Sequence, residues 1–149
     1  MMSEPVSFEK YFETNEKLVY TNKGTSMFPL IREGKDLLII EKRENRKIRK
    51  GDAVLYTRSH GEYVLHRVVK VREDGYVIIG DNSVKKEYGV TDDRILGVMT
   101  GFVRNGVNHS TDELIYRLYS FILVNTVGIR VLIKRSLSGI KGLFKKVRQ

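Results

Sequence analysis

The chain has 149 residues, enough for one domain or one domain with a tail, and its 41% hydrophobic and 30% charged residues exclude a disordered polymer. It has no cysteine, which excludes a disulfide framework and a thiolate zinc site. The net charge of +9 is uneven: Ile115 to Gln149 carries eight Lys or Arg and no acid, while the first 114 residues sum to +1, so a near-neutral body bears a basic tail, the pattern of an anchor or arm.

The first 22 residues predict a short helix and an extended piece. Ser7 is the candidate N-cap, and Phe8, Tyr11 and Phe12 share one helical face. The opening is polar, with no apolar stretch of the kind that begins a secretory signal. From residue 23 to 107 the pattern becomes mainly β. Apolar runs begin at Leu37, Ala53, Tyr63, Tyr76 and Ile95, separated by glycine-containing turns, as in an antiparallel domain with several hairpins. Ser59 to Glu62 and Glu73 to Gly75 read as hairpin loops, and Glu41 to Asp52 as a solvated charged connection.

Residues 108–149 return to a helical period. Thr111 is the expected N-cap, with Asp112 and Glu113 in the first turn. Tyr119 to Ile133 is the most apolar stretch, but it is short of the ~20 residues that span a bilayer and contains Asn125, Thr126 and Arg130. It reads as a buried or interfacial helix. Leu137, Ile140, Leu143, Phe144 and Val147 then recur at helical steps, with Lys134, Arg135, Lys141, Lys145, Lys146 and Arg148 around them. Two readings stay open for 115–149: packing on the β domain, or contact with an anionic membrane surface.

Metal and phosphate chemistry find no motif. His60, His66 and His109 are scattered, no H-E-x-x-H or G-K-[ST] occurs, and no cofactor is expected. What remains is a serine and a histidine. Ser26 lies in Gly24-Thr25-Ser26-Met27-Phe28-Pro29-Leu30, where glycine permits unusual dihedrals before the serine and proline stiffens the chain after it. A nucleophilic serine needs such presentation and a base within reach. His66 shares one face of its strand with Val64 and Val68, which suits a packed core histidine or a base held rigidly near neutrality. Asp81, in Gly80-Asp81-Asn82, is a candidate to orient the imidazole or to form an Asx turn, and Glu87 is a second candidate carboxylate.

The ordered blocks G-T-S-M-F-P-L-I-R-E-G-K-D, R-K-G-D-A-V-L-Y, V-L-H-R-V-V, Y-V-I-I-G-D-N and I-L-G-V-M span about Gly24 to Gly106. This set resembles the type I signal peptidase family and its relatives, the self-cleaving repressors. The resemblance implies that Ser26 is the nucleophile and His66 the base. Most bacterial members and the repressors use lysine as base, so histidine followed by Arg-Val looks like the archaeal and endoplasmic-reticulum branch. Asp81 matches that branch's Gly-Asp-Asn aspartate. Where the branch carries a second aspartate, this chain has Ser83-Val84-Lys85-Lys86-Glu87. Gly24, Thr25, Met27 and Pro29 are the implied substrate-binding positions.

The implied activity is serine endopeptidase cleavage of a leader or signal peptide from a precursor. The alternative is a catalytically silent peptide-binding or membrane-tethering module on the same fold. The neutral body and the apolar stripe of the tail argue against nucleic acid as a partner. The expected location is membrane-associated or cytoplasmic.

Overall fold

A computed structural model describes residues 7–147, with side chains through residue 141. The expectations for Leu143, Phe144, Val147, Lys145, Lys146 and Arg148 as side chains therefore lie outside the described residues. The chain runs α1 (Phe8–Thr14), β1 (Lys17–Thr21), β2 (Leu37–Lys42), β3 (Ala53–Thr57), β4 (Tyr63–Arg72), β5 (Gly75–Ile79), β6 (Glu87–Val90), β7 (Ile95–Arg104), β8 (Val107–Ser110), α2 (Leu114–Asn125) and α3 (Val127–Val147). It is mainly β: one antiparallel sheet in the order β1-β2-β7-β3-β4-β5-β6, with β8 paired to β7.

The five apolar runs become β2, β3, β4, β5 and β7. Register shifts at Ile39/Ile40, Leu55/Tyr56 and Val68/Lys70 bend the sheet, as bulges do. Side-chain alternation along β3 and β4 divides the core into two clusters, with Ala53, Leu55 and Leu65 on one face and Val54, Tyr56, Val64 and Val68 on the other. One centres on Met27, Ile31, Leu38, Ile40, Leu55 and Met99, and the other on Val54, Tyr56, Val68 and Ile78. Ser7 caps α1 by accepting from the Lys10 amide at 3.3 Å, and Phe12 enters the first cluster. The charged connection after β2 is pinned by one apolar side chain, Ile48, which is fully buried.

The tail departs from expectation at two points. Residues 107–110 form β8 instead of entering the helical segment, and α2 starts at Leu114 with Glu113, not Thr111, in the capping position. Thr111 is held back because its amide and hydroxyl both bond the Thr100 carbonyl on β7. The apolar stretch beyond Tyr119 is broken at Thr126. Asn125 and Thr126 turn their side chains onto the Phe121 and Ile122 carbonyls, and the two helices meet at 68°. No single helix among the described residues is long and apolar enough to cross a membrane.

Candidate active site

Ser26 sits in the turn segment between β1 and β2, and two kinds of anchor fix that segment. Met27 and Ile31 are fully buried, and the Ile31 amide bonds the Met27 carbonyl at 2.9 Å. From across the site, the Asn82 amide donates to the Ser26 carbonyl at 2.7 Å, and the Asn82 side chain donates to the Thr25 carbonyl at 3.3 Å. Gly24 has φ +91°, a left-handed conformation that favours glycine. The Gly-Asp-Asn turn after β5 thus acts as a clamp on the serine segment.

His66 sits in the middle of β4, opposite Val54 of β3, and is only 5% exposed. Its two ring nitrogens face different surroundings. Nδ1 lies 3.5 Å from Glu87 Oε1 and 3.4 Å from the Tyr56 hydroxyl. Nε2 faces Gly80. A Cβ built on Gly80 would meet Nε2 at 3.0 Å, the Ser26 carbonyl oxygen at 2.7 Å and Ser83 Oγ at 2.6 Å. The imidazole, the serine segment and the Gly-Asp-Asn turn therefore converge where no side chain fits, which is a physical reason for glycine at position 80. Ser26 and His66 also line the same cleft of about 530 Å³, without a direct hydrogen bond between the serine hydroxyl and the ring. Unliganded sites commonly hold such pairs loosely.

Burial pushes the His66 pKa down, and the nearby Arg58 cation adds to this; the Glu87 carboxylate opposes both without cancelling them. A neutral imidazole is the form that can accept a proton. Glu87 itself is half-buried. Burial raises its pKa, but the Arg58 guanidinium, donating from Nε at 3.1 Å, outweighs that and keeps it below the usual carboxylate range. Tyr56 is fully buried, and burial together with Glu87 holds its phenol well above the ordinary value. It stays a neutral hydroxyl beside the ring.

Asp81 takes a different place from the one the sequence suggested. It forms no hydrogen bond to His66. Its two oxygens accept from Arg67 Nε and Nη2, each at 2.7 Å, with both side chains about 1% exposed. Tyr119 on α2 donates to the same carboxylate at 3.2 Å. Arg67 Nη1 reaches the Gly51 carbonyl, the Tyr116 hydroxyl and Ser120 Oγ at 2.9, 3.2 and 3.0 Å. The carboxylate against the imidazole is Glu87, and Asp81 joins the back of the site to α2.

Gly24 and Thr25 line the cleft with Ser26, whereas Met27 is a core anchor and Pro29 is exposed outside the cleft. The apolar wall comes from Tyr20, Leu38, Leu55 and Leu65. Three residues around His66 escaped the sequence reading: Tyr56, Arg58 and Ser83. The first two had a signal in the run AVLYTR, because Tyr56 lies two residues after Val54, the partner of His66, and so falls on the same face. Ser83 had none, since only the turn at Gly80 brings it to the ring.

Residues 3–100 match the Peptidase S24-like family, a span that holds Ser26, His66, Asp81 and Glu87 and ends before α2. No curated protein matches the chain. The match covers the serine-peptidase-type β fold that the self-cleaving repressors and signal peptidases share, without separating one branch from the other. With the family's pattern running through α1 and nearly all of the sheet, the chain belongs to the Peptidase S24-like family.

Proposed function

We propose that the protein is a serine endopeptidase of signal-peptidase type that removes a leader or signal peptide from a precursor. The observation that carries the reading is the division of labour at His66. Nε2 faces the serine segment, and Nδ1 faces a carboxylate. Donation of Nδ1–H toward Glu87 leaves Nε2 as the free acceptor, the tautomer a general base requires.

In this reading an extended peptide enters the cleft along the edge of β1, which among the described residues pairs only with β2 and leads directly to Gly24. Nε2 takes the Ser26 hydroxyl proton as Oγ attacks the scissile carbonyl carbon. The Ser26 amide has no hydrogen-bond partner among the described residues and is available to the oxyanion. The imidazolium, stabilised by Glu87, then gives its proton to the leaving amine. Water, deprotonated by the same nitrogen, releases the acyl chain. By resemblance, small side chains flank the scissile bond.

Ser26→Ala tests the assignment. It removes cleavage of a precursor peptide and labelling by a serine-directed acylating probe, while thermal unfolding stays as in the parent. Cleavage or labelling that survives the substitution refutes Ser26 as nucleophile. Absence of labelling in the parent chain itself favours the silent binding module.

A further inference from the structure

Among the described residues, helices α2 and α3 leave one face without a partner. On α2 the inner side is committed to the protein, with Tyr116, Ser120 and Val124 buried against the β domain. The outer side carries Leu114, Ile115, Leu118, Phe121 and Ile122, and Leu114, Ile115 and Phe121 are 80%, 81% and 66% exposed. Past the break the stripe continues on α3 through Ile129, Leu132, Ile133, Leu137 and Ile140, with Ile129 and Leu132 64% and 66% exposed. Monomeric soluble proteins rarely expose a contiguous apolar surface of this kind.

Charge decides what covers it. The chain has no acidic residue after Glu113. On α3, Arg135 flanks the apolar stripe on one side at the 100° steps of a helix, while on the other side Arg130 and Lys134 turn inward and donate to the Asp81 and Asn82 carbonyls. Beside α2, a cleft of about 490 Å³ is lined by Arg46, Arg49, Lys50, Arg117 and the exposed Phe121, together with Asp52 and Asp112. Four cations against two carboxylates leave the surroundings of this aromatic net positive.

We infer that the outer face of the α2–α3 elbow docks on an anionic lipid bilayer, lying in the interface with its apolar side chains among the acyl chains and the bordering cations at the headgroups. A second copy of this chain would set the same basic surface against itself. Nucleic acid would leave the apolar stripe uncovered. Insertion across the bilayer does not fit α2, whose twelve residues reach about 18 Å and whose inner face is already packed on protein. The inference is independent of the peptidase reading, because it rests on a surface outside the cleft.

The test is flotation of the full chain with phosphatidylcholine vesicles, with and without phosphatidylglycerol. The expected result is at least about tenfold stronger partitioning onto the anionic vesicles, weakening as salt is raised. Leu118→Glu with Phe121→Glu abolishes the association. Arg49→Glu with Lys50→Glu removes the preference for phosphatidylglycerol. All four positions are exposed, and thermal unfolding of the variants checks that the fold is kept. Equal partitioning onto both vesicles overturns the inference, as does no association of the parent chain with either. So does a dimer by analytical ultracentrifugation that Leu118→Glu with Phe121→Glu dissociates. Because binding is the readout, failure here leaves the assignment of Ser26 untouched.

Discussion

At His66, burial and charge pull in opposite directions. Desolvation disfavours the imidazolium, Arg58 adds to that, and Glu87 opposes both, with the net pKa below the usual value near 6.5. A base with a lowered pKa stays neutral further into the acid range, so the acid limb of kcat/KM falls below pH 6.5. Glu87→Gln removes the foremost of the carboxylates that stabilise the imidazolium, ahead of Asp81 and Glu62. It moves the limb to still lower pH and lowers kcat by about 10²-fold, the scale of acid–base assistance. A pH–rate profile on a cleaved peptide checks both, and a limb that moves upward in Glu87→Gln contradicts the assignment of Glu87 to Nδ1. Both site carboxylates were visible in the sequence as candidates, yet their roles were not. Asp81 follows a glycine in a turn-forming triplet, which says nothing of its partner. That partner, Arg67, is next to His66 in the chain, and strand alternation sends the two side chains to opposite faces of β4.

Among the elements, legibility followed length and apolar content. The runs that became β2, β3, β4, β5 and β7 carry consecutive Val, Ile and Leu, and neighbouring strands fixed their register. β6 and β8, EYGV and VNHS, are four residues each and mostly polar, and they exist as strands because β5 and β7 offer an edge to pair with. Packing of α2 on the β domain was one of two readings the sequence left open, but the residues that attach it were not legible. It is organised around Arg67, whose guanidinium lies over the Tyr116 and Tyr119 rings at 5.5 and 5.6 Å and bonds Ser120. A hydropathy pattern does not register a buried cation of this kind. Removing one partner of a buried pair leaves the other unpaired, so Arg67→Met costs about 3–5 kcal/mol, on the order of 10 °C in Tm. Replacing both, Arg67→Met with Asp81→Leu, restores most of that loss. Thermal unfolding of the single and double variants measures the difference, and a single variant as stable as the parent shows that α2 does not depend on this ion pair.

For the molecule as a whole, the buried ionisable groups set how stability responds to acid. Asp36 is fully buried; desolvation raises its pKa, but Arg104 and Arg32 outweigh this and hold the carboxyl far below the usual range. Arg104 donates to it at 2.6 Å from Nη2 and Arg32 at 2.8 Å, which ties the start of β2 to the end of β7. A carboxylate with a folded pKa below its unfolded value contributes stability above about pH 4 and loses it as pH falls toward the folded pKa. His66 acts in the same direction in a higher window. Its folded pKa is lowered, so below about pH 6.5 the unfolded chain takes up a proton that the native imidazole refuses, and stability falls with pH there too. Denaturant unfolding across the acid range therefore shows stability declining in two stages, the first near pH 6 and the second below pH 4. His66→Gln, which has no titratable ring, removes the first stage and leaves the second. Asp36→Asn instead lowers stability at neutral pH and flattens the second. A His66→Gln variant that keeps the full decline near pH 6 shows that the first stage belongs to another group.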